Sequence, residues 1–180
     1  VNYTVEPEKA GAEFTLAVRY PGWCHQMQVK VNGIPVSGAV KTDKGYWMIQ
    51  RSWQPGDTVS CEMEMEPERV YAHPMVRADA GCVALRRGPI IYTFEGVDNG
   101  EELQTLRIPR EAKIEALPYQ ADLLRGIVAL RVTGCRKKSA VNPALYAEDA
   151  APEEVVILQA IPYYAWCNRG MTHMRVWMQE

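Results

Sequence analysis

Apolar and polar residues alternate with a period of two along most of this chain. Phe14, Leu16, Val18 and Tyr20 alternate with Thr15, Ala17 and Arg19. Val29 and Val31 do the same against Gln28, Lys30 and Asn32. The plainest run sets Val59, Cys61, Met63 and Met65 against Ser60, Glu62, Glu64 and Glu66. A helix would scatter these side chains around its circumference, whereas a strand sends every apolar one to one face. The same sign returns at Val83–Leu85, Ile90–Phe94, Val128–Val132, Val156–Leu158 and Met174–Met178.

Turn chemistry separates the runs. Asn32-Gly33 predicts a tight hairpin, because both central positions of a type I′ turn need positive φ. Pro55-Gly56-Asp57, Arg87-Gly88-Pro89, Asp98-Asn99-Gly100 and Asn168-Arg169-Gly170 are further breaks. Helical signal is confined to single turns, one at Tyr119–Leu124 and one at Pro143–Ala147. No segment sustains a 3.6-residue period, which disfavours a parallel α/β sheet. Short strands with frequent turns predict an all-β protein of two small antiparallel β-sandwich domains in tandem, of immunoglobulin or jelly-roll type. The expected division is residues 1–77 and 78–180. One sandwich with a long excursion is the competing arrangement.

Composition narrows the function classes. The 180 residues carry 20 Lys and Arg against 22 Asp and Glu, a formal net charge of −2. No basic run exceeds Arg136-Lys137-Lys138, so nucleic acid is not an expected partner. The apolar runs are too short to span a bilayer, so neither is a membrane. No signal peptide is visible, and the start at Val1 suggests a processed or excised product. The five cysteines have no C-x-x-C spacing and are expected to be reduced, which leans toward the cytoplasm.

Candidate chemistry is sparse. Glu62, Glu64 and Glu66 have spacing that suits a glycosidase carboxylate pair, but three like acids on one strand face read as solvated surface. His25, His73 and His173 are scattered among the cysteines without metal-ligand spacing, so no metal site is expected. No nucleophile elbow or phosphate loop occurs, and no catalytic residue is assigned. Aromatics are the richer signal: Tyr163, Tyr164 and Trp166 cluster after Ile161-Pro162 and form the candidate carbohydrate-binding surface. The alternative for them is a core or domain interface.

Several segments, in order, resemble the C-terminal part of family-127 glycoside hydrolases, the β-L-arabinofuranosidase family. They include Glu13–Cys24, Val29–Gly33, Gly45-Tyr46-Trp47 and Trp53–Asp57. They continue with Gly81–Tyr92, Asp98-Asn99-Gly100, Ile161–Gly170 and Met174–Trp177. The resemblance implies an (α/α)₆ catalytic barrel followed by two β-sandwiches, of which this chain is the sandwiches. It also implies that the family's zinc and cysteine nucleophile sit on the barrel, in a stretch with adjacent cysteines that has no counterpart here. The expected function is therefore that of a non-catalytic accessory portion, without a cofactor of its own, that braces the barrel and supplies a subunit interface. A carbohydrate-binding module and a self-associating domain are the alternatives. The barrel of the same protein, a second copy of the chain and plant-derived sugar chains are the candidate partners.

Overall fold

The computed structural model describes residues 1–36, 40–41, 44–138, 146 and 148–180. The chain is all-β and divides into two compact units, Val1–Met65 and Glu66–Glu180.

The first unit is a sandwich of two antiparallel sheets. One sheet has the order β1 (Asn2–Val5), β7 (Asp57–Met63), β3 (Met27–Val31), β4 (Ile34–Pro35). The other runs β2 (Ala12–Arg19), β6 (Tyr46–Trp53), β5 (Val40–Lys41). Period-2 alternation decides what each sheet turns inward. Val29, Val31, Val59 and Cys61 come from the first sheet and Val18, Ile49 and Trp53 from the second, and all are buried in one core. Glu62, Glu64 and Glu66 are exposed, as the alternation predicts. Phe14 differs from expectation: it is exposed near the start of β2 and stacks on Trp53 at 5.7 Å instead of entering the core.

The Asn32-Gly33 hairpin forms with φ of 51° and 79°. Its side chain reaches a second turn: Asn32 Nδ2 donates to Asp57 Oδ1 at 2.7 Å, and Thr58 N–H donates to Asn32 Oδ1 at 2.8 Å. One amide thus joins the two sequence breaks that bound β4 and β7.

The second unit contains β8 (Pro67–Val70), β9 (Cys82–Arg87), β10 (Ile90–Glu95), β11 (Leu106–Arg107), β12 (Ile114–Ala116), β13 (Leu130–Lys137), β14 (Glu153–Pro162), β15 (Met174–Arg175) and β16 (Met178–Gln179). Residues 66–77, expected in the first unit, lie here because β8 pairs with β9 in the register Pro67↔Arg87 to Val70↔Ala84. The hydrogen-bonded path runs β10, β14, β13, β11, β16, β9 and returns to β10 through the β9–β10 hairpin. Closing a sheet on itself removes exposed edges. Around that path Val83, Leu85, Tyr92, Phe94, Leu130 and Leu158 are buried in a common core. Among the named strand pairs of the described residues, β11–β16, at Arg107↔Gln179, is parallel and the others are antiparallel.

Two local expectations change, and one expected break takes a specific form. Met174–Met178 is not one strand: a bend at Val176-Trp177 sends β15 to β10 and β16 to β9 and β11. Asp98-Asn99-Gly100 breaks the chain as the end of a one-turn helix, α1 (Gly96–Asn99), which Gly100 terminates at φ 84°. Tyr119–Leu124 is a loop closed by the Gln120↔Ile127 bridge, because Leu124 and Arg125 adopt left-handed φ and cannot continue a helix. The expected turn at Pro143–Ala147 lies outside the described residues apart from Tyr146.

Candidate functional site

The segment that follows β14 carries the sequence-predicted aromatics. Pro162 ends the strand, and Tyr163–Ala165 forms one 3-10 turn. That turn splits the three rings. Tyr163 and Tyr164 are exposed, at 45% and 66%, while Trp166 is half-buried. Tyr163 and Trp166 meet at a tilted 6.5 Å. Tyr163 lines a mostly apolar cleft of about 550 Å³ with Ile91, Met174, Arg175, Val176 and Trp177. Tyr164 lines a separate cleft of about 400 Å³ with Leu124, Arg125, Ala165 and Asn168. Tyr163 and Tyr164 therefore line different clefts, with Trp166 against Tyr163.

An ion cluster holds this segment in place. Glu95 ends β10 with its side chain fully buried. It accepts the Cys167 N–H at 2.7 Å and a charge-assisted hydrogen bond from Arg169. Arg169 also forks onto both carboxylate oxygens of Asp98 in α1. Fork-on-carboxylate pairing is the strong form of an ion pair. The Asp98 hydrogen bonds first, and those of Glu95 second, hold the Arg169 guanidinium above its ordinary range. Asn99 continues the brace: its Nδ2 donates to Glu95 O at 2.9 Å and to Gln159 O at 2.8 Å. Two turn motifs some seventy residues apart thus meet. The sequence marks both as chain breaks; neither carries a signal that they are partners.

Three further acids are held by nearby donors. Glu180 accepts both Arg110 hydrogen bonds, at 3.0 and 2.6 Å, and the Tyr71 hydroxyl at 2.7 Å. Arg110, then Tyr71, hold its carboxyl below the usual range. Arg107 forks onto Glu153 and lowers it likewise. Asp57 is lowered first by the Gln54 backbone N–H and then by the Asn32 amide. A glycosidase general acid needs its carboxyl raised, so these groups are displaced in the opposite sense. Glu62 is an exposed partner of Lys30 at 2.8 Å.

The described residues do not fit a zinc site. No three His, Cys, Asp or Glu side chains converge among them. The five cysteines are unpaired: Cys24, Cys61 and Cys82 are buried, Cys135 is half-buried and Cys167 is exposed.

Comparison with known proteins accounts for the chain in two parts. Residues 1–65 match the model described as beta-L-arabinofuranosidase, GH127 middle domain, and residues 67–179 match the glycoside hydrolase family 127 C-terminal domain. The non-reducing end beta-L-arabinofuranosidase of Bifidobacterium longum subsp. longum is 32% identical across all of this chain. The solved GH127 beta-L-arabinofuranosidase of Geobacillus stearothermophilus T6 superposes with a TM-score of 0.91 at 48% identity over 99% of the chain. The GH127 beta-arabinofuranosidase BT3674 superposes at 0.79 with 32% identity over 93%. This chain spans 28% of the length of each of these relatives.

Proposed function

This chain belongs to glycoside hydrolase family 127, whose non-catalytic middle and C-terminal domains it comprises, and we propose that it serves as the accessory portion of a β-L-arabinofuranosidase-like enzyme. In this reading it braces an (α/α)₆ catalytic barrel of the same protein, and any zinc and nucleophilic cysteine belong to that barrel. The observation that carries it is the match of both units, end to end, to two domains that make up 28% of relatives named as arabinofuranosidases. The downward displacement of Asp57, Glu153 and Glu180 agrees with a structural use of acids.

Two surfaces support the bracing and interface roles. The cleft of Ile91, Tyr163, Met174, Val176 and Trp177 is mostly apolar and open. Val155 and Ile157 stand 73% and 61% exposed on one face of β14. Exposed apolar patches of this kind mark contact surfaces. The unpaired thiols suit a reducing compartment.

The test is direct. With zinc supplied, the purified chain releases no product from a chromogenic β-L-arabinofuranoside. The parent protein does so, and loses thermal stability when these residues are deleted. Zinc-dependent turnover by this chain alone overturns the reading.

A further inference from the structure

The cleft beside Tyr164 has features that bracing leaves unused. Its size, about 400 Å³, falls within the range of small-ligand sites. Its floor is firm: Ala165 belongs to a satellite core with Ile127, Ala129 and Ile161, and Leu123 and Leu124 pack onto that core. Its walls are strained. Four non-glycine residues among those described have left-handed φ; two of them, Leu124 at 50° and Arg125 at 65°, line the cleft, and a third, Cys167 at 63°, adjoins the lining residue Asn168. The fourth is Asn32, in a hairpin turn that requires it. A left-handed backbone is strained for an L-residue, and such strain persists only where the surroundings impose it, commonly at binding sites.

The groups at the mouth are available. Tyr164 is exposed. Arg125 is exposed and has no ion-pair partner among the described residues. Asn168 Nδ2 donates to Ala165 O at 3.0 Å and Trp166 O at 3.2 Å, which fixes the amide and leaves Oδ1 without a donor among the described residues.

We propose that this cleft binds one ring of a neutral saccharide, with Tyr164 as the apolar platform, Arg125 as donor and Asn168 Oδ1 as acceptor. A sugar ring has a C–H face, which suits a phenol, and hydroxyls that each donate and accept. An anion would leave Tyr164 and Asn168 Oδ1 unused. A purely apolar ligand would desolvate Arg125 and Asn168 without replacing their hydrogen bonds. The proposal moves sugar contact from the three-aromatic cluster to Tyr164 alone. It rests on the reading of the chain as part of a sugar-processing enzyme, but fails separately from it, since that reading is tested by turnover.

The experiment is saturation-transfer NMR on the full 180-residue chain with millimolar L-arabinose, D-xylose and D-galactose, and glycerol as control. The expected result is transfer to the ring protons of at least one sugar and none to glycerol. Tyr164→Ala and Arg125→Ala each bind about tenfold more weakly, while Tyr163→Ala retains the signal. Two variants guard against misfolding of either, and amide shift dispersion verifies that both fold. Absence of transfer to any of the three sugars, transfer that survives both substitutions, or equal loss in Tyr163→Ala overturns the proposal.

Discussion

Replacing Arg169 by Met isolates the energetics of the ion cluster beneath the aromatic segment. The methionine keeps much of the aliphatic stem and removes the guanidinium. Glu95 is then left with a fully buried carboxylate whose remaining partner is the Cys167 N–H. Breaking a buried pair by deleting one member costs about 3–5 kcal/mol. Arg169 keeps 21% of its side chain in solvent, so the lower end applies, about 3 kcal/mol. For a unit of this size that lowers the unfolding midpoint by roughly 10 °C. The control is the double variant Glu95→Gln with Arg169→Met, in which the glutamine still accepts the Cys167 N–H but carries no charge. It should recover about 1 kcal/mol or more relative to Arg169→Met alone, because residues in one network are not additive. Urea unfolding read by hydrogen–deuterium exchange on peptides from 130–162 reports the second unit separately from the first. A loss below about 1 kcal/mol for Arg169→Met, or strict additivity in the double variant, refutes the view that a buried charge needs this partner.

Two other outcomes follow from the geometry. Asp57 and Glu180 have carboxyls held below their unfolded values. The stability they contribute is therefore complete above about pH 4–5, and is lost as pH falls through their folded values. Urea midpoints measured from pH 6 to pH 3 should decline, and less steeply in Asp57→Asn; identical slopes would count against the assignment. Gly134 in β13 lies where an added Cβ would overlap Leu158 Cδ1 and meet the Arg107 carbonyl at 2.9 Å. Gly134→Ala should therefore cost about 1–3 kcal/mol by overpacking, and an unchanged thermal midpoint would show that β11 and β14 yield to it.

Strand identity was legible wherever one face of a strand meets a core. Val59, Cys61 and Met63 alternate against Ser60 and Glu62 because an antiparallel sheet with one wet face filters side chains at every second position. The Asn32-Gly33 hairpin was legible for the same local reason, since both residues tolerate positive φ. β9 and β10 were legible as strands from the same alternation, but not that Cys82–Leu85 and Tyr92–Glu95 are buried on both faces, which depends on what packs over them. The aromatic cluster was legible as a run of residues, but not how the fold would divide it. A single 3-10 turn after Pro162 aims Tyr163 and Tyr164 into different clefts.

By itself, the amino-acid sequence determined that the chain is built from short antiparallel strands, where most of the turns fall and which acids face water. These depend on backbone preference and side-chain period, which act over a few residues. The tertiary structure alone decided that β8 joins the second unit, that 174–179 divides into two short strands with different neighbours, and that Arg169 closes on Glu95 and Asp98. Leu124 and Arg125 are of the same kind, since nothing in their side chains asks for left-handed φ. Each depends on a partner far along the chain, and the energy of such a contact exists only once the intervening strands have packed.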